Sequence, residues 1–205
     1  MCLTIRMRKK LLTMSVAALI AVLGVLAGLH YWTHRYDQLI SHVASQHNVD
    51  PLLVKAIVYE ESFFRSNAHS SQNAVGLMQV TPVVAEELIS ATHSRTLGEA
   101  IAGVSGGAAP ASSSFNDAMS DPAISLHVGC WYLRTLLNRY RDEPNALAIS
   151  LAAYNAGPTN VERWTAEGER AQLSRDEFLS RIQFPATREY VRRIMDRYDD
   201  YQRRQ

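Results

Sequence analysis

The chain carries almost no excess charge of one sign. Its 21 Lys and Arg face 20 Asp and Glu, a formal net charge of +1 over 205 residues. That balance lacks the basic field that draws nucleic acid, so no nucleic-acid partner is expected. Long blocks of like charge are also missing. The densest stretch, "RRIMDRYDDYQRRQ", mixes both signs and reads as a solvated helix face. Cysteine is scarce, with Cys2 ahead of an apolar run and Cys130 far beyond it. If that run spans a membrane, the two lie on opposite sides and cannot pair. Cys130 reads as a small buried core residue. Cys2 is not a lipoprotein acylation site, because such a cysteine follows the apolar segment. No segment shows convincing strand alternation, and no internal repeat occurs. No serine nucleophile elbow or phosphate-cradling glycine loop is found. The seven histidines are scattered. His30, His34, His42 and His47 lie close together in sequence but have no cysteine or carboxylate at ligand spacing, so they read as surface residues. Neither a metal nor a cofactor is expected.

What is present begins with a long apolar run. "RMRKK" precedes "LLTMSVAALIAVLGVLAGLH". Leu11 to Leu29 carries no charge, and at roughly 1.5 Å per residue it approaches the thickness of a bilayer core. The run exceeds the usual apolar region of a signal peptide. Arg6, Arg8, Lys9 and Lys10 would stay cytoplasmic, and Tyr31 and Trp32 would sit at the far interface. Val25-Leu26-Ala27 is a weak cleavage site, so an uncleaved anchor is favoured over a cleaved signal. The reading is a cytoplasmic basic segment at 1–10, a transmembrane anchor or signal segment at 11–29 and a helical juxtamembrane segment at 30–48. A domain over 49–205 would lie on the exported side of that membrane.

Hydrophobic residues make up 47% of the chain, enough to pack a core. Asp50-Pro51 and Asp121-Pro122 read as helix starts, with Asp capping free N–H groups and Pro at the first helical position. The first of these helices is expected to run to about Phe64. The stretch from Thr92 to about Met119, with "GGAAPASSSFND", reads as a surface loop or insertion. "NALAISLAAYNAGP" reads as a helix that Gly157 would end in a left-handed cap and that Pro158 could not continue. Ser174 and Glu177 match a capping box. A last helix is expected from near Thr187, striped by Val191, Ile194, Tyr198 and Tyr201. The exported part is therefore mainly α-helical.

Two adjacent acids stand out in "VYEESFFRSNAHSSQNAVGLMQVTP". Val54, Ile57, Glu61 and Phe64 fall on one helical stripe. Glu60 follows Leu53 and Ala56 and borders the same stripe. A carboxylate on an apolar face has its charged form desolvated and its pKa raised, as a glycosidase acid requires. Two surface acids at a helix end are the plain alternative, although the helix dipole disfavours them there. Spacing alone does not choose between Glu60 and Glu61.

"EESFFRSNAHSSQNAVGLMQVTP", followed by "SDPAISLHVGCWYLRTLL", "AAYNAGP" and "FPATREYVRRIMDRY", resembles the SLT-type lytic transglycosylases over about residues 45–203. The resemblance implies a lysozyme-like, goose-type helical domain behind the N-terminal segment. It also implies that the catalytic acid is Glu61, the Glu directly before Ser. Ser70 matches a serine near the reacting sugar, Gln79 a substrate-contacting glutamine, and Met78 would floor the cleft. Tyr154 and Asn155 would line the groove, and Tyr190 matches a tyrosine whose hydroxyl reaches the acid. The chain departs from the family where Ala186 stands in place of a frequent acid and where "IPF" becomes Ile182-Gln183-Phe184.

The resemblance further implies non-hydrolytic cleavage of peptidoglycan between MurNAc and GlcNAc, giving 1,6-anhydroMurNAc. The partners would be glycan strands, the membrane through residues 11–29, and proteins of an envelope-spanning machine. One rival is a lysozyme-like hydrolase with Glu86 or Glu87 as a second carboxylate. The other is a weakly catalytic wall-binding assembly factor.

Overall fold

The structure is a computed structural model describing residues 2–106, 114–165, 170 and 172–204, with side chains from residue 14 onward. It divides into two units, Met1–Tyr36 and Asp37–Gln205. The first contains one helix, α1 (Cys2–His34). The stretch Met14–Gln46 holds an 18-residue window of mean hydropathy 2.0, none of it buried, long and apolar enough to cross a membrane. At the end of this unit the Arg35 guanidinium lies 3.5 Å from the centre of the Trp32 ring, a cation–π contact.

The second unit is helical. It comprises α2 (Asp37–Gln46), α3 (Pro51–Ser62), α4 (Pro82–Ala91), α5 (Leu97–Ser105), α6 (Phe115–Ser120) and α7 (Pro122–Arg139). After these come α8 (Ala146–Ala156), α9 (Pro158–Trp164), α10 (Arg175–Arg181) and α11 (Pro185–Arg203). Among the described residues there is no strand, only isolated bridges linking His69 to Val75 and Val75 to Val80. α8 lies at the centre, with Ala148, Ile149, Leu151, Ala152 and Ala153 buried, and packs against α7, α9, α10 and α11. Its small side chains let these neighbours approach closely. The large apolar groups come from them instead: Leu126, Leu133 and Leu136 on α7, and Val191 and Ile194 on α11. Each such buried side chain contributes about 1.5–3 kcal/mol.

Local capping explains where the helices start. Asp50 accepts from the Leu52 N–H at 2.8 Å, and Asp121 accepts from Ala123 and Ile124 at 2.8 and 3.0 Å. Ser174 and Glu177 complete a reciprocal capping box.

Three stretches differ from the sequence reading. Residues 37–46 are the first helix of the compact unit: Ile40, Val43 and Ala44 are buried, and α2 packs on α3 and α7. The described parts of the stretch 92–119 are mostly helical and partly core, because Thr96 and Ser114 cap α5 and α6, which bury Ala100, Ile101, Ala118 and Met119. Part of the small-residue run, 107–113, lies outside the described residues. Gly157 has φ 85° but ψ 147°, so it is not a left-handed cap; Pro158, which ends α8, is the first residue of α9. His47 is also not a plain surface residue. Its ring nitrogen lies 3.1 Å from that of buried His127, and burial together with His127 pushes its pKa down to about 4.

Candidate active site

α3 delivers the two acids at its last turn, and the chain then turns sharply. Phe63 and Phe64 both adopt positive φ, 49° and 59°. Two successive non-glycine residues in this region are costly and persist only where packing enforces them. Phe64 is fully buried, and Ser62 ties the turn down by donating to Val58 O at 3.0 Å and Leu77 O at 2.9 Å.

The structure separates Glu60 from Glu61 by their partners. Glu60 Oε2 accepts from Arg193 at 2.9 Å, and Oε1 accepts from Arg197 at 2.9 and 3.3 Å. Among the described residues, no ion pair reaches Glu61. Its Oε1 accepts a 2.6 Å hydrogen bond from the Tyr190 hydroxyl. Burial pushes the Glu61 carboxyl from 4.5 up to about 7; the Tyr190 bond opposes the rise and the Glu60 charge adds to it. Tyr190 is held well above its ordinary pKa by burial and by the Glu61 charge. Both arginines and Tyr190 come from α11, so one helix supplies partners to both acids. Arg193 and Arg197 were not among the residues expected at the site, although residues 190, 193 and 197 share one helical face, a spacing visible in the sequence.

Beyond the turn, residues 65–80 form a tight loop. Gly76 has φ +88°, and a Cβ there would lie 2.0 Å from Met119 O and 2.6 Å from Ser125 Oγ. Glycine is needed both for the conformation and for the close approach. Ser70 is exposed, and its hydroxyl oxygen accepts from Gln72 N at 3.2 Å and Ala74 N at 3.1 Å. A hydroxyl that accepts twice still has its proton to donate. Gln79, at φ 48°, sends its side-chain nitrogen back to Ala68 O and Gly76 O at 3.1 and 3.0 Å. Met78 is fully buried beneath the surface, in contact with Gly129, where any Cβ would meet its sulfur at 2.4 Å. Its role at the site is therefore through main chain: the N–H donates to Ser125 at 3.2 Å and the carbonyl accepts from Tyr154 at 2.8 Å.

Tyr154 feels the Glu61 charge and lines an open cleft whose lining does not include Glu61 itself. Burial and the Glu61 charge hold its hydroxyl well above the ordinary pKa. The cleft, of about 500 Å3, is also lined by Gln79, Val83, Glu87, Tyr132, Arg139 and Asn155. Asn155 is anchored by a 2.7 Å hydrogen bond accepted from Thr187. The predicted residues thus form two linked groups, Glu61 with Tyr190 and Gln79 with Tyr154 and Asn155. Ser70 stands on the loop between α3 and Gln79. Of the two rival acids, exposed Glu87 lines the cleft, whereas Glu86 is exposed outside that lining.

The chain is similar to known transglycosylases in sequence and fold. The chain is 28% identical over 166 residues to a putative soluble lytic murein transglycosylase of Haemophilus influenzae, covering 81% of this chain and 24% of the relative. It is 31% identical over 133 residues to a membrane-bound lytic murein transglycosylase C of the same species, covering 63% of this chain and 33% of that one. The crystal structure of the 70 kDa soluble lytic transglycosylase of Escherichia coli matches with a TM-score of 0.63 and 26% identity, over 81% of this chain and 24% of that chain. The chain therefore spans about a quarter of the length of the soluble relatives. The family model described as the transglycosylase SLT domain matches residues 38–175. With that match over most of the compact helical unit, the chain belongs to the transglycosylase SLT domain family.

Proposed function

We propose that the chain is a peptidoglycan lytic transglycosylase in which Glu61 acts first as acid and then as base. One observation carries the reading. Of two neighbouring carboxyls, Glu60 is ion-paired, while Glu61 is desolvated, hydrogen-bonded to Tyr190 and pushed up to about 7. A group titrating there is about half protonated at neutral pH, so it can give a proton and also take one back. Glu61 would give its proton to the oxygen linking MurNAc to GlcNAc, so the C1–O bond breaks and GlcNAc leaves as an alcohol. The MurNAc N-acetyl group would stabilise the oxocarbenium-like centre. Glu61, now a carboxylate, would take the proton of the MurNAc C6 hydroxyl, whose oxygen closes on C1 as a 1,6-anhydro ring. No water is consumed, so a single carboxyl suffices where a hydrolase commonly uses two.

In this reading Tyr190 orients the carboxyl and Ser70 faces the acetamido group. Gln79, Tyr154 and Asn155 line the glycan groove, and Met78 supports it through its main chain. Residues 11–29 would hold the domain at the bacterial inner membrane on its wall side, where proteins of an envelope-spanning machine are candidate partners. A second reading, hydrolysis, draws on one observation, the presence of exposed Glu87 in the cleft.

The test is mass spectrometry of fragments released from purified peptidoglycan by the full chain in detergent, alongside Glu61→Gln. The expected result is 1,6-anhydroMurNAc ends with the wild type and none with the variant. Reducing MurNAc ends would instead establish the hydrolase, and undiminished release by Glu61→Gln would remove Glu61 from the chemistry.

A further inference from the structure

The ion-paired neighbour of the acid is the group the mechanism above leaves unused. Glu60 is only 9% exposed at its side chain. A carboxylate buried between two arginines gains little net stability over an apolar pair of similar volume, because desolvation offsets most of the attraction. What such a cluster does give is a charge fixed in place.

Four contacts surround it, all made by α11 to three consecutive residues of α3. The Arg197 guanidinium lies 3.3 Å from the centre of the Tyr59 ring. Arg193 and Arg197 grip Glu60, each at 2.9 Å. Tyr190 donates to Glu61 at 2.6 Å. The last turn of α3 is thus clamped to one face of α11 residue by residue, and the sites of charge and chemistry cannot move independently.

We propose that Glu60, held by Arg193 and Arg197, is a positioning residue that pins the turn carrying Glu61 and keeps a fixed negative charge beside it. The inference rests on the reading of Glu61 as the reacting acid. Burial sets the rise of the Glu61 carboxyl, and the Glu60 charge, partly offset by its two arginines, adds a smaller push in the same direction. Among the described residues, the groups facing the pair come from three helices, with Tyr201 of α11 in turn hydrogen-bonded to Arg197. α11 presents Tyr190, Arg193 and Arg197. α8 presents Tyr154, which feels the Glu61 charge, and α3 itself presents Tyr59. Arg193 is 53% exposed and Arg197 27%, so water weakens the first arginine's influence more than the second's.

The test is an NMR titration of the Glu61 side-chain carbon in the full chain, read with the pH profile of wall solubilisation. Glu60→Gln keeps the shape and removes the charge. It is expected to lower the Glu61 midpoint by about one pH unit, since a neighbouring anion is removed and two guanidiniums are released. Arg193→Gln is expected to move it the opposite way by a smaller amount, and Glu60→Asp to return it toward the wild-type value. A merely structural role would not give shifts of opposite sign or a rescue by charge. A folded Glu60→Gln protein with an unchanged midpoint would overturn the proposal, as would Glu60→Asp behaving like Glu60→Gln. If Glu60→Gln does not fold, an Arg193→Gln midpoint that stays put or falls would overturn it instead. A midpoint that moves while the activity profile stays fixed would support the electrostatic role of Glu60 and sink the reading of Glu61 as the reacting acid.

Discussion

Two walls of the domain carry carboxyls, and they treat them in opposite ways. On the wall made by α3 and α11, one acid is locked between guanidiniums and its neighbour is desolvated with a tyrosine hydroxyl as partner. On the wall made by α4 and α7, Glu87 stands exposed in the cleft, where its charge reaches Tyr132 and Arg139. Arg139 is itself engaged by Glu162. Residue type is the same on both walls. The difference lies in surroundings: Glu61 is desolvated against α11, whose Tyr190 donates to it, while Glu87 stands exposed. On the function proposed above, proton transfer belongs to the first wall and substrate contact to the second.

The sharpest way to break this contrast is Glu61→Gln. It preserves shape and hydrogen bonding while removing the titrating group, and wall solubilisation should fall about 100- to 10,000-fold. Retained activity would mean the acid lies elsewhere. Tyr190→Phe should follow, with a loss of about 10- to 100-fold, the value of one hydrogen bond to a charged group. Because that bond opposes the rise in the Glu61 pKa, its removal should move the Glu61 midpoint upward. A downward shift would contradict the assigned geometry.

The same burial predicts a pH dependence of stability. The folded-state pKa of Glu61, about 7, lies above its ordinary value of 4.5. The folded state therefore binds the proton more tightly. Its contribution is fully present below pH 4.5 and is lost as pH rises through 7, a change of up to roughly 3 kcal/mol. Glu61→Gln should accordingly raise Tm at pH 8 by about 5–10 °C and leave it nearly unchanged at about pH 4. Equal Tm values at both pH values would show that Glu61 is not desolvated.

Local chemistry is legible in the sequence and long-range packing is not. The Asp50-Pro51, Asp121-Pro122 and Ser174-Glu177 starts are written within a few residues, and the structure has helices beginning at each. The stretch 92–119 reads as a loop because its residues are small, although Ala100, Ile101, Ala118 and Met119 make a core face once α5 and α6 pack. Periodicity does not separate Glu60 from Glu61, since both border the same stripe and their discriminating partners lie more than a hundred residues away on α11. Met78 shows the same limit. Its burial depends on Gly129, which admits the sulfur only because it has no side chain.

The smallest expected effect gives the most direct test of the division between the walls. Peptidoglycan is digested in 18O-labelled water by the wild type and by Glu87→Gln, and the new ends are weighed. The account predicts anhydro ends free of 18O from both proteins, with release by Glu87→Gln within about threefold of wild type, as suits removal of one charge at an exposed site. One 18O atom at each new reducing end, dependent on Glu87, would contradict it and make Glu87 the second carboxylate of a hydrolase.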